Sequence, residues 1–137
     1  MAQEACTVVA LRLTPGQDLK QALVALSQRE GIGAACVLTC VGSLSTANLR
    51  YAGKSEGATL ERPLEILSLV GTLGRGGVHL HLTVADEQGQ TLGGHLLDGC
   101  LVRTTAELVL GVLPGVIFDR EPDPETGYLE LVVRSEP

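Results

Sequence analysis

Residues 77–99 read GVHLHLTVADEQGQTLGGHLLDG and contain all three histidines of the chain, His79, His81 and His95. Apolar and polar residues alternate on both sides of DEQGQ, the period of a strand with one buried face. A three-residue loop, Glu87-Gln88-Gly89, puts glycine at the third position, where this kind of hairpin needs a left-handed backbone. Asp86 then faces Gln90, and counting back along both strands sets His81 opposite His95. His79, two residues from His81, shares their face together with Thr83, Thr91 and Gly93. The other face carries Val78, Leu80, Leu82 and Val84 with Leu92, Gly94 and Leu96, which is the expected core. A slip of one residue would split the histidines and mix polar with apolar on both faces, so the pattern selects this register.

Directly opposed side chains have Cβ atoms about 5 Å apart, close enough for imidazoles on two strands to meet one small ion. Three neutral imidazoles with bonds of about 2.0–2.1 Å form a zinc ligand set that leaves a fourth position open. Other divalent metals that accept imidazole suit the same set. The open position takes water, a carboxylate, or a small-molecule or anionic ligand, and Gly93 leaves room beside it. Without an ion, the same residues are partly exposed strand histidines hydrogen-bonded to their neighbours.

Working outward, residues 7–13 (TVVALRL) form a strand ended by Pro15-Gly16. From Asp18 the period changes: Leu19, Ala22, Leu23 and Leu26 make the apolar stripe of a helix. Asp18 is its cap or first-turn acid, and Gly31 its left-handed end. Residues 35–41 are a strand, Gly42-Ser43 a turn, 49–52 a short strand and 53–62 a polar loop. Strands follow at 64–73, 78–85, 91–97, 105–113, 116–119 and 128–134, with turn signals at GRGG, DEQG, LDG, LPG and DPETG. Strands that follow one another without helices between them pair antiparallel. The expectation is a single α+β domain over residues 1–137.

On strand 105–113, Glu107 points away from Ala106, Leu108 and Leu110. It is a candidate fourth metal ligand, an acceptor that orients an imidazole, or a general base; otherwise it faces solvent. Asp98 and Asp119 are further candidates of that kind. No catalytic residue is assigned. GTLGRGG at 71–77 lacks the lysine and hydroxyl residue of a phosphate loop and lies between strands, so it reads as a hairpin turn with Arg75 solvated or touching a neighbouring subunit. DREPDPET at 119–126 reads as an acidic surface loop in which Arg120 meets a carboxylate. Ser43 and Ser45 in GSLS have no histidine–aspartate pair nearby and do not form a nucleophile elbow. On regular alternation Cys36 and Cys40 share a face, but at about 13 Å apart they cannot chelate one metal.

The balance of charge is −6, with no cluster among ten basic residues. A protein that grips DNA with its own surface carries a basic stripe, so direct DNA binding is disfavoured. The longest apolar run, 108–118, contains Pro114 and is shorter than the roughly 20 residues of a membrane span. The first residues, MAQEACTVVALRL, lack the basic and apolar regions of a signal peptide. Four cysteines without a CxxC pair suit a reducing compartment, and cytoplasm is the expected location.

Six ordered pieces of the chain look familiar together: LTPGQDL (13–19), VGSLSTANLRYA (41–52), LEILSLVGTL (64–73), VHLHLTVADEQGQTLGGHLLDG (78–99), VRTTAEL (102–108) and FDREPDPETGYLEL (118–131). On these the chain resembles the PPC (plants and prokaryotes conserved) domain over nearly its whole length. The resemblance implies about seven mainly antiparallel strands flanked by helices, assembled as a homotrimer. In plants this domain accompanies an AT-hook in nuclear DNA-associated proteins, where it mediates self-association and contacts with other regulators. Stand-alone bacterial and archaeal members are described as DNA-binding, and a metal at the histidines suits that group. This chain departs from the plant pattern twice. It has no Arg-Gly-Arg-Pro hook, and the family's aromatic before Glu-Ile-Leu is Leu64, a change expected to repack a partner-facing surface.

Three readings of function follow. The first is a homotrimeric PPC-domain protein with a zinc-like ion on His79, His81 and His95, its biochemical role undefined and enzymatic activity left open. The second is a DNA-associated regulatory protein that acts through self-assembly and partner contacts. The third is a structural trimer with incidental histidines.

Overall fold

The computed structural model describes residues 5–137; the signal-peptide reading rests in part on residues 1–4, outside the described residues. The elements run β1 (Thr7–Leu13), α1 (Leu19–Arg29), β2 (Ala34–Arg50), β3 (Ala58–Gly74), β4 (Gly77–Ala85), β5 (Thr91–Leu96), β6 (Leu101–Val112), β7 (Val116–Pro122) and β8 (Leu129–Ser135). The fold is α+β and its strand pairs are antiparallel, as expected. In place of one sheet of seven there is a six-stranded sheet, ordered β1-β6-β2-β3-β4-β5, and a separate β7–β8 hairpin. One α-helix, not several, accompanies them among the described residues.

The sheet rolls up, because β5 pairs with β4 along one edge and with β2 along the other, through Leu49–Leu96 and Arg50–His95. That closure needs a bare backbone at Gly94, where a Cβ would stand 2.7 Å from the Arg50 carbonyl oxygen. Inside the roll lie Leu44, Leu49, Leu73, Leu80, Leu82 and Leu96, all almost fully buried. Each leucine so placed contributes roughly 1.5–3 kcal/mol through removal from water. The helix adds Leu19, Leu23 and Leu26 to the same core. Asp18 caps it by accepting from the Gln21 N–H at 3.0 Å, while its other oxygen accepts from the Gly99 N–H at 2.7 Å. The cap therefore also ties the helix start to the chain leaving β5. Gly31 follows the helix with φ of 63°, the left-handed end expected.

Several local expectations give way to long-range packing. Gly42-Ser43 is not a turn but lies inside the 17-residue β2. A Cβ on Gly42 would run into the Thr105 carbonyl of β6, so glycine there serves strand approach. The polar loop at 53–62 is cut short by β3, which begins at Ala58. A bulge between Val37 and Thr39 reverses the alternation of β2. Cys40 consequently turns into the core and Cys36 does not, so the two cysteines do not share a face. Leu64 is 2% exposed, and the change from an aromatic repacks the core, not a partner-facing surface. Residues Asp119 to Pro122 belong to β7, not to a loop. Among the described residues no helix is long and apolar enough to cross a membrane.

Candidate metal centre

The hairpin has the register its sequence selects: His81 pairs with His95, Thr83 with Gly93 and Ala85 with Thr91. Gly89 takes φ of 76°, the left-handed turn position. Asp86 fastens the turn, its Oδ1 accepting from the Gln88 N–H at 2.9 Å and the Gln90 N–H at 3.0 Å. Because Leu80, Leu82 and Val84 are drawn into the core, His79 and His81 must face outward.

The three rings gather with centroids 5.1, 5.2 and 5.8 Å apart. One nitrogen from each lies within 4.8 Å of the other two. Nitrogens sharing a tetrahedral ion stand about 3.4 Å apart, so rotations moving each by about 1 Å complete the set. Burial, followed by Arg50 and the other two histidines, pushes His95 down to about 4. Burial also lowers His79, aided by His81, Arg120 and Arg50 and opposed by Glu130. At neutral pH both therefore offer a free lone pair, which coordination requires. The residues present fit a divalent ion.

Around the rings is an open cleft of about 610 Å³ whose walls include Arg50, Tyr51, Lys54, Tyr128 and Gly93. Arg50 stands beside His95 by backbone pairing. Arg120 reaches over from β7 to the Thr72 hydroxyl at 3.4 Å, and Thr72 is the cross-strand partner of His79. Arg120 makes this contact in place of the expected carboxylate. Arg75 is not simply solvated; it pairs with Asp119 at 2.9 Å and holds that carboxyl below its usual range. Of the surrounding residues the hairpin pattern shows Gly93 alone; Arg50, Tyr51, Lys54 and Tyr128 are not legible, since the β2–β5 pairing that delivers Arg50 leaves no local signature.

Glu107 is not brought to the histidines. It lies on β6 between Arg12 of β1 and Val41 of β2, with β2 and β3 separating it from β4. Its carboxylate accepts from the Thr105 hydroxyl at 3.5 Å. Within one chain it is neither a fourth ligand nor an acceptor for an imidazole. Asp98 and Asp119 also stay outside the cluster. Ser43 is buried and accepts from the Thr104 N–H at 3.3 Å, a structural bond between β2 and β6. Burial pushes the thiols of Cys40 and Cys100 up to about 11, so both are protonated at neutral pH, and neither joins the histidine cluster.

A rolled antiparallel sheet carrying three outward histidines on one hairpin defines a class of small, metal-competent sheet domains. The chain belongs to the Plants and Prokaryotes Conserved (PCC) domain family, whose model matches residues 1–114. The β7–β8 hairpin lies beyond that match. A hypothetical protein from Salmonella enterica is 44% identical, with a TM-score of 0.96 and 99% of each chain covered. A metal-containing protein from Archaeoglobus fulgidus is 28% identical, with a TM-score of 0.79 over 94% of this chain and 95% of that one. In sequence, 93% of the chain is 55% identical to part of a bifunctional protein GlmU from a Synechococcus strain. The chain spans 20% of that relative's length.

Proposed function

We propose that this chain is a metal-binding member of its family, a homotrimer with one zinc-like divalent ion on His79, His81 and His95 of each protomer. The observation that carries the reading is the convergence of three ligand nitrogens within 4.8 Å, two of them on imidazoles held neutral. The metal-containing Archaeoglobus relative supports it. A bound divalent ion with an open position supplies Lewis acidity and a readily ionised water. The chain's part is to hold the imidazoles rigidly on paired strands, keep space through Gly93, and surround the opening with Arg50 and Lys54.

Self-association is supported by Val8, Leu38, Val41, Leu67 and Val70, each more than half exposed on β1, β2 and β3. An apolar face of that kind marks a contact surface. Glu107 shares it, beside Val41. The unpaired cysteines suit a cytoplasmic location. Protein purified without a histidine tag should carry about one zinc per chain by elemental mass spectrometry. The His79/His81/His95 triple-alanine variant should carry none; equal metal in both would overturn the reading.

A further inference from the structure

The surroundings of the histidines are positively charged in a chain whose balance is −6. Arg29, Arg62, Arg75 and Arg134 each meet a carboxylate. Six basic residues form no ion pair among the described residues: Arg12, Lys20 and Arg103 elsewhere, and Arg50, Lys54 and Arg120 around the histidines. Arg50 and Lys54 line the cleft of about 610 Å³, whose own walls carry no carboxylate; Glu130 lies in the adjoining clefts, with Arg120 in both and with Arg50 in one. Leaving cations unneutralised in an acidic chain favours a negative ligand there, because field lines focus in a concave site.

Backbone pairing fixes the order of these groups. Val70, His81, His95 and Arg50 are successive partners across β3, β4, β5 and β2. Neighbours in such a row stand about 5 Å apart at Cβ, so an oxyanion at the open position of an ion on the histidines lies within reach of Arg50. The chain has two tyrosines, Tyr51 and Tyr128, and both line this cleft. The volume falls within the roughly 300–1,000 Å³ of small-molecule sites.

We infer that the cleft receives a small organic anion, its oxyanion group shared between the metal and Arg50, with Lys54 adding attraction and a flat or apolar body lying against Tyr51 and Tyr128. This rests on the metal reading above. Carboxylate and phosphate monoester present the same chemistry to these groups, and benzoate and phenyl phosphate distinguish them.

The test is calorimetric titration of each probe into the zinc-loaded full chain in phosphate-free buffer of low ionic strength, with zinc content measured on the same samples. At least one probe should bind, more tightly than inorganic phosphate, which lacks the ring. R50Q/K54Q should keep its zinc and lose at least about tenfold in affinity, as expected when charge-assisted hydrogen bonds are removed. K54Q alone, on the exposed loop after β2, should weaken binding in the same direction. Full zinc with no binding of either probe, or unchanged affinity in R50Q/K54Q with zinc retained, overturns this inference and leaves the metal reading standing. A wild-type chain that takes up no zinc overturns both.

Discussion

An imidazole held neutral by its surroundings becomes a liability in acid. His95 takes a proton near its ordinary 6.5 in the unfolded chain but only at about 4 in the fold. Between those values the unfolded state binds more protons, so the stability of the metal-free protein falls as pH drops through that window. His79 is lowered as well and acts in the same direction. The urea midpoint of metal-free protein should therefore drop between pH 7 and pH 4.5, and H95Q should flatten part of that slope. An identical slope in H95Q would count against the neutral imidazole. At this scale the sequence is informative where one strand's alternation decides the outcome, as for the histidines, or where a cap acts locally, as for Asp18. Glu107 marks the limit: alternation places it correctly on the outward face, but its neighbours depend on which strands flank β6.

The hairpin of β4 and β5 was legible because its turn and two faces agree on one register. The long strand β2 was not. Its Gly42-Ser43 pair is the signal of a turn, and it is also what two backbones in close approach require. Only the position of β6 decides between them. The bulge at Leu38 has no residue signature either, and it puts Cys36 and Cys40 on opposite faces. Gly94 is where the closure of the sheet can be tested. G94A puts a methyl group 2.7 Å from the Arg50 carbonyl and should force β5 away from β2. The expected cost is about 1–3 kcal/mol, typical of overpacking, read by urea unfolding. A variant as stable as the parent would show that the closure tolerates a wider gap.

For the whole molecule, what local pattern could not supply is the rolling of the sheet, which sets Arg50 against His95 from a position 45 residues earlier in the chain. The β7–β8 hairpin likewise brings Arg120 and Tyr128 to a site whose ligands are on β4 and β5. The exposed apolar face is a property at this scale too. V41E/L67E places charge on two exposed residues of β2 and β3 and should reduce the proposed trimer to one chain by mass in solution, with the circular dichroism spectrum retained. A wild-type protein that sediments as one chain would refute the trimer. The three-histidine metal centre is open to X-ray absorption at the zinc edge of the loaded protein. Three imidazole nitrogens at about 2.0–2.1 Å, with a light atom completing the shell, are expected. Sulfur neighbours at about 2.3 Å, or a shell without imidazole scattering, would contradict a three-histidine centre.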